Sequence, residues 1–197
     1  MVARSLPVRT PGVLTLQSLE TELLPGWWVI LNLAGYQAGW IATVYGATHD
    51  MPWLGPLSVS LFVATHLLLS ARPLHSTGLI LIVLAYGAMQ ESVMLRLELV
   101  AYPTSPGSIP FWMLALWALF ATTLSVSLRW FQTRPLIAAL TGAVLGPLAY
   151  WAGAAAGAIT LPTLSLSLSS LVLAWMVGFP LLLQVARRLE FPLVKVS

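Results

Sequence analysis

Between residues 27 and 185 polar positions are few and clustered, and they cut the chain into six apolar blocks: 27–47, 52–70, 78–97, 110–128, 136–159 and 165–185. Each block approaches or exceeds the roughly 20 helical residues that cross a bilayer core of about 30 Å. A membrane strand needs only about ten residues and alternates polar with apolar positions, a pattern these blocks lack. A helix satisfies its own backbone donors and acceptors, as lipid requires. The pattern therefore predicts an all-α fold, a polytopic bundle of six transmembrane helices spanning 27–186.

Composition agrees: 58% of residues are hydrophobic and 8% are charged, against about a quarter charged in an ordinary soluble domain. There is no cysteine, so disulfides and thiolate sites are excluded. Net charge is +3, and its distribution matters more than its size. Arg4, Arg9, Arg72, Arg129, Arg134, Arg187, Arg188 and Lys195 fall on one side of the six blocks; of the nine basic residues, Arg96 alone falls on the other. By the positive-inside rule that side is cytoplasmic, giving an N-in, C-in membrane protein. The basic excess is then an orientation signal, with no nucleic-acid partner expected.

Residues 1–26 are expected to form a cytoplasmic N-terminal segment. Thr10-Pro11 has the form of a helix start. Val13, Leu16, Leu19, Leu23 and Leu24 then recur near helical spacing, with Gln17, Glu20 and Glu22 among them, before Pro25-Gly26 ends the run. A short amphipathic helix on the inner surface is one expectation, an unstructured tail the other. Residues 187–197 are expected to be a cytoplasmic tail. A faint repeat joins Leu61-Phe62-Val63-Ala64-Thr65 and a following Arg72-Pro73-Leu74 to Leu119-Phe120-Ala121-Thr122-Thr123 and Arg134-Pro135-Leu136. Duplication of a helical hairpin would explain it, as would inner-side charges and prolines at helix starts.

Candidate chemistry is confined to a few polar groups deep in the blocks. Gln90-Glu91-Ser92 interrupts the third, where an acidic residue costs roughly 2.5 to 3.5 kcal/mol at mid-helix. Glu91 should lie a little outward of the midplane and face the bundle interior or a polar cavity. Arg96, five positions on, is rotated away and should extend toward the surface. In the first block Asn32, Gly35, Tyr36, Gly39 and Trp40 share one face, with Gln37 beside it. In the fifth, Gly142 and Gly146 form a small-xxx-small pair for close helix approach. Pro147 removes a backbone donor, predicting a kink. Tyr150 and Trp151 follow at the depth of Glu91. Ordinary tight packing would also account for this stretch. Thr122, Ser125 and Arg129 line the inner half of the fourth block, where Ser and Thr often bond their own helix. The three histidines form no metal-ligand cluster, and no zinc, nucleophile-elbow, P-loop or dinucleotide motif occurs. No metal or cofactor is therefore expected, and the reading leans against an enzyme.

The strings PWLGPL (52–57), HLL (66–68), LWALFATTL (116–124), SLRW (127–130) and the glycine-rich 142–157, above all GPLAYWAG (146–153), resemble a bacterial inner-membrane family. That family is known only as a domain of unknown function, some members carrying the loose label permease. The resemblance covers residues 28–180. It implies an acidic residue in the third span, a place Glu91 would take. The stretch 123–128 departs from a version with Asn and His there, which weakens any catalytic role for it. The similarity extends to families whose genes neighbour fatty-acid modifying enzymes, which points toward lipids.

The expected function is binding or transport of a hydrophobic or amphipathic, lipid-like molecule in a polar pocket around Glu91. Gln90, Tyr150, Trp151, Asn32, Tyr36, Gln37 and Trp40 are its candidate ligand-binding residues, with Pro147 as hinge. Membrane lipids and a hydrophobic small molecule are the expected partners. The alternatives are a structural or assembly subunit, pairing with a second copy or within a larger membrane complex, and an intramembrane lipid-modifying enzyme.

Overall fold

A computed structural model describes residues 26–190, and the N-terminal amphipathic segment and residues 191–197 lie outside it. Six α-helices follow one another: α1 (Gly26–Thr48), α2 (Leu54–Leu69), α3 (Pro73–Arg96), α4 (Phe111–Leu124), α5 (Pro135–Ala155) and α6 (Leu164–Glu190), with a 3-10 turn at Arg129–Thr133 between α4 and α5. The described residues contain no strand, only a single antiparallel bridge. Three helices, α3, α5 and α6, are long and apolar enough to cross a membrane.

Four blocks differ from their expected extent by four or five residues: the third starts earlier, at Pro73, the fifth ends earlier, at Ala155, and the fourth and sixth change at their ends. The fourth ends as α-helix at Leu124, and residues beyond it coil into the 3-10 turn. The hydroxyls of Thr122 and Thr123 bond back to the carbonyls of Leu119 and Phe120, a local competition that loosens helix ends. The sixth runs past 185 to Glu190, so Arg187 and Arg188 belong to its last turn. There they complement the carbonyl end of the helix dipole.

Helix α4 is the centre of the bundle, packing on α1, α2, α3 and α6. Its Leu119, Ala121, Thr122, Thr123 and Leu124 are all buried. Helix α5 is held mainly by α6, and Gly142 and Gly146 explain how. A Cβ at Gly142 would meet the Trp175 carbonyl at 2.5 Å, and one at Gly146 would meet the Trp175 ring at 2.1 Å. Gly146 thus seats the Trp175 indole, and Gly142 lets the α6 backbone and Phe179 come close. Helix α5 stays helical through Pro147. Large apolar side chains cover the outside, among them Leu74, Leu140, Leu173 and Val177, as a lipid-facing surface requires.

Helices α3 and α5 are built alike at both ends. Each starts on Arg-Pro with the arginine in nearly the same conformation, φ −135°, ψ 67° at Arg72 and φ −132°, ψ 65° at Arg134. Each ends on a left-handed residue, Glu98 (φ 53°) and Gly157 (φ 89°), a common way to terminate a helix and reverse the chain. The N–H of Leu99 then returns to the Met94 carbonyl, and that of Ala158 to the Gly153 carbonyl. Both reversals tuck apolar residues inward: Leu99 and Val100 in one, Ala158 and Ile159 in the other. Three residues past each left-handed position the two loops meet, Ala101 and Thr160 exchanging hydrogen bonds of 2.9 and 2.8 Å. The first half of the 97–110 loop therefore folds back into the bundle.

Candidate functional site

Glu91 lies on α3 five residues before its end and is 0% exposed. Its carboxyl collects three donors from three other segments. Tyr102 O–H, delivered by the returning loop, reaches Oε2 at 2.5 Å. Trp117 Nε1–H of α4 reaches Oε1 at 3.0 Å. Tyr150 O–H of α5 donates to the same Oε1. Burial first, and the Glu91 carboxyl second, push the Tyr102 phenol up from its usual range, so Tyr102 remains a donor. The acid is thus sheltered by neutral hydrogen-bond donors, while Arg96 is exposed at the helix end. The neighbouring Gln90 amide is also buried.

The Trp117 indole owes its place to Gly87, four residues before Glu91 and so on the same face of α3. A Cβ there would meet the ring at 2.3 Å. The other face of Trp117 stacks on Trp175 of α6, centroids 5.4 Å apart and planes 10° from parallel. Beyond Trp175 lies Gly146. Two stacked indoles are therefore held between a glycine of α3 and a glycine of α5.

On the far side of this wall is a cleft of about 510 Å³. Helix α4 forms its floor and α1 and α5 its sides; those two are not among the helices that pack closely together. Leu33, Tyr36, Gln37, Trp40 and Val44 line it from α1, at the spacing of one helical stripe. Trp117, Phe120, Trp175, Phe179 and Tyr150 give it an aromatic back. Leu33 (49% exposed), Leu145 (55%) and Leu148 (49%) also line it. These leucines make an apolar rim at mid-helix, where lipid chains would lie. The volume is in the ordinary range of ligand pockets.

The structure separates the expected site residues into groups. Tyr36, Gln37, Trp40 and Tyr150 line the cleft. Glu91 and Gln90 lie behind its wall and are not among the lining residues. Asn32 is buried between α1 and α4, donating to the Thr122 carbonyl (3.3 Å) and accepting from Ser127 Oγ (2.8 Å). Trp151 is half exposed on the outer face of α5. Pro147 is buried within α5. Sequence reasoning missed Tyr102, Trp117 and Trp175. For Trp117 a signal existed: a glycine four residues from a stranded acid offers a flat seat from which an indole N–H can reach the carboxyl.

The family model described as "Protein of unknown function (DUF2878)" matches residues 12–181. The chain belongs to the DUF2878 family. The resemblance carried by GPLAYWAG and its companion strings is thereby shown, and it includes both the Glu91 cluster and the cleft. No curated protein and no solved structure matches this DUF2878 chain.

Proposed function

We propose that this DUF2878 protein is a six-span inner-membrane protein, both termini cytoplasmic, that binds a hydrophobic or amphipathic lipid-like molecule in the cleft between α1 and α5. The observation that carries the reading is the cleft itself: aromatic-lined, rimmed by exposed leucines, and open sideways at mid-helix. A water-soluble ligand would have no route to such a mouth, whereas a lipid chain reaches it by lateral diffusion. The distribution of basic residues supports the orientation. Helices α2 and α4, with 16 and 14 residues, reach about 24 and 21 Å at 1.5 Å per residue. They cross as short spans completed by flanking loops and the 3-10 turn.

In this reading Tyr36, Gln37, Trp40 and Tyr150 touch the ligand. Glu91 acts through Trp117 and Tyr150, fixing the back wall by holding both donors in place. Asn32 ties α1 to α4 and sets the width of the floor. Trp151 anchors α5 on its lipid side.

Native mass spectrometry of the full chain, released from membranes, tests this. Wild-type protein should retain lipid-sized adducts, and Ala149→Trp, which places an indole in the cleft, should lose them while keeping its melting temperature. Equal retention by both would contradict the reading.

A further inference from the structure

The polar groups of the cleft indicate what class of molecule it takes. Its lining among the described residues contains no Asp, Glu, Lys, Arg or His. Arg129, beside Leu128 at the inner end, pairs with Glu190 at 3.5 Å. Gln37 is different: it sits at the middle of α1 (Gly26–Thr48), lines the cleft and is exposed. Tyr36 adds a phenol next to it. An amide facing hydrocarbon at that depth is unfavourable without a hydrogen-bonding partner. A lipid with a charged head keeps that head at the interface, about 15 Å from the bilayer centre, and so cannot serve Gln37.

We propose that the ligand is an uncharged, elongated lipid with a hydrogen-bonding oxygen (hydroxyl, ketone or quinone-type carbonyl) placed at Gln37, its chain lying along α4. The Gln37 amide offers a donor and an acceptor without charge, which suits such an oxygen in either role. The indoles of Trp117 and Trp175, with Phe120 and Phe179, line the remaining length with polarizable aromatic groups. Gln37 is then the residue that sets specificity. This inference rests on the lipid-binding reading above and narrows it.

Photolabelling of the full chain in lipid nanodiscs separates the two. Three probes carry the same mid-chain diazirine: a long-chain alcohol, the matching carboxylate at alkaline pH, and a phosphatidylglycerol acylated with that carboxylate. The alcohol should label the segments holding Gln37 and Leu145 about fivefold more than either other probe, and Gln37→Leu should remove about that factor, the worth of one hydrogen bond, at unchanged melting temperature. Equal cleft labelling by the carboxylate or the phospholipid, or labelling by the alcohol that Gln37→Leu does not alter, overturns the neutral-lipid inference and leaves the cleft reading standing. If every probe labels the outer faces around Leu81 and Leu173 as strongly as the cleft, the lipid-binding reading falls too.

Discussion

Two glutamates, Glu91 and Glu190, show how differently the two ends of this bundle handle charge. Glu190 ends α6 beside Arg129 at 3.5 Å, and Gln132 donates to its side chain at 3.2 Å. Arg72, at the start of α3, donates to its backbone carbonyl at 2.7 Å. Arg129 and Glu190 are partly exposed, so water shares in stabilising them. Among the described residues, Glu91 has no cation in its shell and is bonded by two phenols and an indole. A cation buried beside it would carry its own desolvation cost, whereas neutral donors satisfy the carboxyl cheaply. The edge of the bundle is fastened by ions, its interior by aromatic donors. Because two of those donors, Trp117 and Tyr150, also line the cleft, the interior acid shapes the binding surface without touching it.

The largest effect should come from removing the interior acid. Glu91→Leu leaves three buried donors without an acceptor, at about 1–3 kcal/mol each. A loss near 4 kcal/mol, read as a fall of about 10 °C in detergent melting, is expected. Next is the seat of the indole pair. Gly146→Ala puts a methyl into the Trp175 ring and should cost about 1–3 kcal/mol by overpacking, with an altered tryptophan near-UV signal as its mark. Tyr102→Phe removes one of the three donors and should cost about 1–2 kcal/mol. Combined with Tyr150→Phe it should depart from additivity, because both serve one carboxyl. Arg129→Ala, at the watery end, should change stability by under about 1 kcal/mol and less still at high salt. Equal losses at Arg129 and Glu91 would erase the contrast between the two ends.

Much of the fold was legible because lipid allows few solutions: the six blocks correspond to the six helices within a few residues. The shortening of α4 was not legible, since hydroxyl back-bonding at Thr122 and Thr123 leaves the hydropathy unchanged. The meeting of Glu91 with Tyr150 followed from their similar positions along the third and fifth apolar blocks. Tyr102 was hidden because nothing in Leu97-Glu98-Leu99 marks a left-handed turn, whereas Gly157 does so at the matching place in α5. The single polar face read on α1 divides in two: Gly35 and Gly39 lie against Phe62 and Leu119, while Tyr36, Gln37 and Trp40 face the cleft. Helical periodicity identifies faces, and only the neighbours decide which face is packed and which is left open.

An experimental density map of the full chain in native lipid is the most direct test. Elongated non-protein density lying along α4 and touching Gln37, Trp40 and Trp175 is the predicted result. A gap between α1 and α5 closed by side chains, or filled by a helix from a second copy, would contradict the account.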